Sequence, residues 1–185
     1  LGELGILTGS KEVLLEAIQY IQASLEKSSD QPGAWLRLAV IYKALYTWSG
    51  EYAYFEKADH SYVAASRNLS ENAFLWFSWG DLLIKEGVDT KDSQLVLEGL
   101  KHIEQALSLD PESTLIKARL ADACMAFGML EDDYEFLRDA LALLEELEEN
   151  PPEFPEFYSL YANCLIHLGR YFEDESYLRK AIDKI

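Results

Sequence analysis

One residue pattern recurs along this chain with a fixed 41-residue period, and this period limits the possible folds more than any other feature of the sequence. The clearest column of the repeat contains only alanine or glycine, at Ala39, Gly80, Ala121 and Ala162. A second small column stands at Ala17, Ala58, Gly99, Ala140 and Ala181. The register holds without insertion or deletion from residue 13 to residue 185. A fixed period of this kind indicates a repeat architecture in which neighbouring copies stack on one another.

Each copy of the pattern predicts two amphipathic helices. In one copy, Trp35, Leu38 and Tyr42 flank the first small column with the three- and four-residue spacing of a single helix face. The second small column likewise has large apolar residues four positions before and after it. The predicted helices cover residues 11–28, 33–47, 52–69, 72–86, 93–109, 113–127, 134–149, 154–168 and 175–185.

The small columns predict places where two helices approach closely. Glycine inside a helix costs about 1 kcal/mol relative to alanine, so Gly80 needs a compensating reason. A bulky side chain in its column would separate the two backbones and leave voids, which supplies that reason. Trp76 and Trp79 then flank the contact, and we predict that both belong to the core rather than to an exposed stacking site.

Recurring polar residues and glycines predict where the helices begin and end. Asp30, Glu71, Glu112 and Glu153 are predicted to start the first helices of the repeats. Ser10, Glu51, Asp92, Asp133 and Asp174 are predicted to start the second helices. Gly87, Gly128 and Gly169 are predicted to stop the first helices.

These motifs resemble the tetratricopeptide repeat (TPR). Residues 35–42 read Trp-x2-Leu-Ala-x2-Tyr, and residues 58–65 read Ala-x3-Tyr-x2-Ala. The resemblance covers nearly the whole chain, although the usual unit of the family has about 34 residues, so this would be a longer variant. It implies an all-α fold, a right-handed α-solenoid of tandem antiparallel helix pairs.

The resemblance also implies one array over residues 1–185. Residues 11–28 would form the second helix of a partial repeat. Residues 33–69, 72–110 and 113–150 would form full repeats, and residues 154–185 a repeat truncated at its end.

Repeats of this family mostly bind proteins, usually an extended or helical segment held in a concave groove. The first helices would line that groove. By register the implied groove residues are Leu36, Val40, Lys43, Phe74, Phe77, Asp81, Ile84, Leu115, Asp122, Met125, Asn163 and Ile166. The expected function is a scaffold, adaptor or chaperone-like interaction module. The alternative is a non-catalytic solenoid appendage of a larger enzyme or of a secretion or transport assembly.

The groove residues predict a partner with apolar anchors and basic groups, because apolar positions alternate with Asp81 and Asp122. These carboxylates could instead bond only within their own repeat or to water. The acidic segment 130–150 has the same two interpretations, a solvated outer helix or a docking surface for a basic partner. A net charge of −17 argues against nucleic-acid binding.

Signals for catalysis, cofactors and membrane insertion are lacking in the sequence. None of the common nucleotide, metalloprotease or hydrolase motifs occurs, so we expect neither an enzyme nor a cofactor or metal site. No apolar run is long enough for a membrane span. The two cysteines, Cys124 and Cys164, fit a reduced, cytoplasmic setting better than a disulfide framework.

Overall fold

The structure, a computed structural model, describes residues 2, 6, 10–153 and 156–184. The regular elements of this part of the chain are helices: α1 Lys11–Lys27, α2 Pro32–Ser49, α3 Tyr52–Ser66, α4 Ala73–Thr90, α5 Ser93–Leu109, α6 Thr114–Glu131, α7 Tyr134–Leu147, α8 Phe157–Phe172 and α9 Glu175–Ile182. Positions 154, 155 and 185 of the predicted helices lie outside the described residues.

The helices pack as sequential antiparallel pairs, which confirms the predicted all-α fold class. The second helices α1, α3, α5, α7 and α9 begin one repeat period apart. Contacts divide the chain into two compact units, Leu1–Leu82 and Leu83–Ile185, here called the N-terminal and C-terminal units. Helix α4 runs through the boundary between them.

Both small columns are buried, as predicted. Ala39, Ala121 and Ala58 have no exposed surface, and Gly80 is buried as well. Tyr62, four positions after Ala58, is also completely buried. The columns therefore mark the contact lines between helices, because only small side chains allow the backbones to approach this closely.

The tryptophan pair differs in burial. Trp79 is 8% exposed, and its ring stacks on those of Tyr62 at 6.0 Å and Trp76 at 5.7 Å between centroids. Its indole N–H donates to Oδ1 of Asp59 at 2.7 Å. Trp76 is half-buried, and its N–H donates to the carbonyl of Ser70 at 2.7 Å. Trp79 is thus a core residue as predicted, whereas Trp76 lies at the edge of the core.

The repeated glycines do not stop their helices, and that prediction was wrong. Helices α4, α6 and α8 each continue three residues beyond Gly87, Gly128 and Gly169. A Cβ atom on Gly128 would come within 2.7 Å of the carbonyl oxygen of Asp133, where α7 begins. The amide of Asp133 donates to the carbonyl of Gly128 at 2.9 Å. Glycine is required here because the next helix starts against its backbone.

The residues that end the first helices adopt a left-handed conformation. They are Gly50, Lys91, Asp132 and Glu173, with φ angles of 68°, 58°, 56° and 53°. They stand one repeat period apart, and glycine occurs in only the first copy. Non-glycine residues in this conformation are uncommon, so sequence reasoning favoured the nearby glycines instead.

The predicted starts agree for all five second helices, and the expected side-chain cap bond forms in four of them. Side chains of Ser10, Asp92, Asp133 and Asp174 accept backbone amides of the first turn. Glu51 makes no such bond and pairs with Lys11 at 3.2 Å instead.

The acidic residues predicted to start the first helices do not cap them. The capping side chains are Asn72, which accepts from Leu75, and Ser113, which accepts from Ile116. Helices α2 and α8 follow Gln31 and Glu156, whose side chains make no cap bond. Asp30, Glu71, Glu112 and Glu153 therefore precede the caps rather than supply them. Serine and asparagine suit the cap position because their short side chains reach the first free amides.

Candidate functional site

A cleft of about 790 Å³ lies in the N-terminal unit, between α1, α2 and the residues that lead into α4. Three predicted groove residues, Leu36, Val40 and Phe74, line it together. Helix α2 contributes Leu36 and Val40 from one face, because they are four residues apart. Further apolar lining comes from Ile6, Tyr20 and Ile21.

The cleft exposes apolar surface to solvent. Phe74 is 54% exposed although it is a large aromatic side chain, and Tyr20 is exposed as well. Among the described residues that line the cleft, Arg37 is the one charged side chain. Contiguous exposed apolar surface beside a polar rim is typical of a ligand-binding groove. The cleft can therefore accept an apolar side chain, with a cation at its edge.

Two other predicted groove residues of the N-terminal unit are paired with each other. Nζ of Lys43 lies 2.6 Å from the carboxylate of Asp81. The same ammonium donates to the carbonyl of Ser78 at 3.1 Å and to its hydroxyl at 3.3 Å. The hydroxyls of Ser78 and Tyr62 are 2.6 Å apart, and burial raises the pKa of Tyr62. Asp81 therefore bonds within the protein, but its partner Lys43 belongs to the preceding repeat, whereas the structural alternative placed this bond within the repeat of Asp81 or with water.

Several predicted groove residues of the C-terminal unit cannot serve as anchors. Ile84 and Met125 are buried, so their side chains are not available to a partner. The carboxylate of Asp122 forms an ion pair with Arg119 of the same helix. Burial and pairing of this kind depend on neighbouring helices and side chains, which the repeat register does not reveal.

The remaining predicted groove residues keep some exposure. Leu115 is 51% exposed, and Asn163 is exposed. Phe77 and Ile166 are half-buried.

Sequence reasoning missed Tyr20, Ile21 and Arg37 as cleft residues, because it restricted the groove to selected positions of the first helices. Tyr20 and Ile21 belong to α1, a second helix. One usable signal was present: Tyr20 places an aromatic ring beside, not within, the apolar column that contains Ile21. Such a ring adds nothing to the helix–helix contact and is therefore a candidate for ligand binding.

Residue types associated with catalysis have structural roles where the structure describes them. In the run Asp59-His60-Ser61, the carboxylate accepts from Trp79 and the serine hydroxyl donates to the carbonyl of Lys57 at 2.7 Å. The His60 ring packs edge-on against another aromatic ring. No cluster of three or more histidine, cysteine or acidic residues within the described ranges could hold a metal ion.

Both cysteines are buried free thiols. Burial raises the pKa of each to about 12, and the Cys164 thiol lies 3.4 Å from the carbonyl of Leu137. The neutral thiol is a poor nucleophile, so these side chains act as packing residues at neutral pH. Among the described helices, none is long and apolar enough to cross a membrane.

His102 should make stability depend on pH. Burial lowers its pKa from 6.5 to about 4, because the charged imidazolium is poorly solvated in α5. Above pH 6.5 the ring is neutral in both states. As the pH falls from 6.5 to 4, the unfolded state binds the proton more readily, so this residue should progressively lower the free energy of unfolding. His102→Gln should flatten the melting temperature between pH 6.5 and 4.5 relative to the wild type. An identical pH profile for both proteins would contradict the assignment.

Comparison with known proteins supports the fold. Residues 135–185 match the family model described as tetratricopeptide repeat. The chain is similar to the crystal structure of TTC0263, a thermophilic TPR protein of Thermus thermophilus, with 20% identity over 90% of this chain and 78% of that one, at a TM-score of 0.66. It is also similar to the crystal structure of MamA, with 15% identity over 100% of this chain and 94% of that one, at a TM-score of 0.63. A comparison with curated proteins finds no match.

Proposed function

We propose that this protein is a protein–protein interaction module and that the cleft of the N-terminal unit binds a segment of its partner. The observation that carries the proposal is the cleft itself, where Leu36, Val40 and Phe74 meet Tyr20 around an open space of about 790 Å³. That volume is in the range of pockets that bind peptide side chains and small ligands. The TPR fold agrees with a protein partner. The proposal that the chain uses a 41-residue variant of the repeat is supported by the sequence register and by the equal spacing of the second helices.

The side chains of the cleft favour a segment with at least one large apolar anchor. Phe74 and Tyr20 offer aromatic surface, and Leu36 and Val40 offer aliphatic surface. Arg37 at the cleft would meet a carboxylate of the segment. A partner cation at Asp81 would have to compete with Lys43, so the basic groups expected of the partner are better sought on another surface.

Phe74→Ala should weaken binding of the partner segment by about 2 kcal/mol or more, because exposed aromatic anchors dominate affinity in such grooves. A ligand can be obtained by selecting a random peptide library against the wild-type protein. Fluorescence anisotropy of the selected peptide then gives the dissociation constant for each variant. Val40→Asp should weaken the same peptide, because it places a charge in the apolar lining.

Leu115→Ala is a matched control, because Leu115 stands one repeat period after Phe74 and is similarly exposed, at 51% against 54%. It lies in the C-terminal unit and should leave binding to the cleft unchanged. A second control changes the outer acidic helix α7 through Glu145→Gln with Glu146→Gln. If this pair abolishes binding while Phe74→Ala retains it, the acidic outer face is the site and the cleft proposal is wrong.

A further inference from the structure

Four aromatic side chains form a partly exposed cluster in the C-terminal unit. Tyr134, Tyr171, Phe172 and Tyr177, here called the aromatic patch, come from the start of α7, the end of α8 and the first turn of α9. Tyr134 lies 5.3 Å from Tyr171 and 5.5 Å from Phe172 between ring centroids, and Phe172 lies 6.5 Å from Tyr177. Tyr171 is 42% exposed and Phe172 is 36% exposed. The rings therefore pack against one another, and part of their apolar surface remains exposed to solvent.

Arg138 holds the patch in place. Its guanidinium carbon lies 5.0 Å from the Tyr134 ring centroid and 5.1 Å from that of Phe172. The same guanidinium lies 3.6 Å from the carboxylate of Glu135. Rings and a stacked guanidinium have few free torsions to lose on binding, and tyrosine and arginine are enriched in the dominant residues of protein interfaces.

The repeat itself does not require three of these four rings. One repeat period before Tyr134, Tyr171 and Phe172, the chain has a serine, a leucine and a glutamate. The position that corresponds to Arg138 is Leu97. The turn before Ser93 still has the same form as the turn before Tyr134: a left-handed residue, Lys91 in place of Asp132, precedes an aspartate that caps the next helix. Helix packing accounts for Tyr177, since the same position one period earlier is Phe136, but it does not account for the other three rings, which the preceding copy lacks.

Acidic residues surround the patch in the chain. Segments 131–139 and 170–180 together contain eight acidic and four basic residues. Two of the basic residues are engaged, Arg138 with the rings and Arg179 with Glu175 at 3.4 Å. Lys180 lies over the Tyr177 ring at 6.0 Å, and Arg170 is exposed. The local charge is therefore negative around an apolar, electron-rich surface.

We propose that the aromatic patch is a second docking surface, and that its occupant is a protein segment in which large apolar side chains alternate with lysine or arginine. Apolar side chains would cover the exposed ring surface, which removes it from water. The lysine and arginine side chains would make cation–π contacts with the rings and ion pairs with the nearby carboxylates. Acidic or uncharged segments can make neither kind of contact. The surface lies in the C-terminal unit and does not depend on the cleft proposal.

Three synthetic peptides of equal length test this proposal: one of leucine, lysine and serine, a second with glutamate in place of lysine, and a third of lysine and serine only. The first should bind the wild-type protein with an affinity that falls as salt is raised. The second should not bind, and the third should bind at least about tenfold more weakly than the first. Equal binding of the first and third peptides would overturn the proposal, since charge alone would then explain the affinity.

The double variant Tyr171→Ala with Phe172→Ala should weaken the first peptide by about tenfold or more, while Leu115→Ala should leave it unchanged. Unchanged affinity in the double variant would overturn the proposal. Amide chemical-shift mapping on the wild-type protein keeps the test valid if the double variant unfolds. Shifts at residues 171–177 support the proposal, whereas shifts confined to the cleft of the N-terminal unit contradict it.

Discussion

Trp79→Ala should lower the free energy of unfolding by about 3–5 kcal/mol, the range for removal of a large aromatic side chain from a core. Three contacts are lost together: the stacks on Tyr62 and Trp76, and the hydrogen bond to Asp59. Only 8% of the residue is exposed, so neighbouring side chains can fill the cavity only in part. Urea unfolding followed by circular dichroism measures the change.

Two further variants test whether the loss of stability comes from the burial of Trp79 and from its hydrogen bond. Trp79→Phe keeps an aromatic ring but leaves the Asp59 carboxylate without its indole donor, so an intermediate loss of about 1–2 kcal/mol is expected. Trp48→Ala removes a tryptophan that is 45% exposed and should change stability by less than about 1 kcal/mol. Equal losses for Trp79→Ala and Trp48→Ala would show that Trp79 is not a core residue.

Gly87→Ala should cost about 2 kcal/mol, although alanine is ordinarily the better helix former. An added Cβ would lie 2.7 Å from Cγ2 of Val96 and 2.8 Å from both the carbonyl oxygen of Asp92 and the amide nitrogen of Val96. Two of these atoms are backbone, so they cannot withdraw without displacing the start of α5. The 2.8 Å hydrogen bond from the Asp92 amide to the Gly87 carbonyl would be strained at the same time.

Gly33→Ala is the matched control for this substitution. Gly33 also lies in a helix, but a Cβ there would meet no atom within 4 Å. The substitution should therefore leave stability unchanged or raise it by up to about 1 kcal/mol, through helix propensity and a less flexible unfolded chain. If both alanine variants are stabilised, the close approach of α5 to Gly87 is wrong.

The spacing of apolar and small residues was sufficient to predict the helices and their core faces. Helix periodicity is a local property, so residues such as Ala39, Ala58 and Tyr62 could be assigned to the core without knowing what packs against them. Predicted starts of the second helices were right for the same reason, apart from the side-chain bond expected of Glu51.

The candidate site was predictable only in part. Leu36, Val40 and Phe74, three of the predicted groove residues, line one cleft. Ile84 and Met125 fit the same register but are buried. Register specifies the direction of a side chain on its own helix, whereas exposure depends on what the other helices cover.

The sequence by itself determined the repeat period, the two helices of each repeat and the small columns along which they meet, because all of these follow from the order of side-chain sizes along one helix. Only the tertiary structure decided the rest. The need for Gly87 comes from an atom of the next helix, and the neutralisation of Asp81 comes from Lys43, which belongs to the earlier helix α2. The cleft and the aromatic patch likewise depend on which surfaces remain uncovered after packing, and this depends on distances between helices that no local pattern encodes.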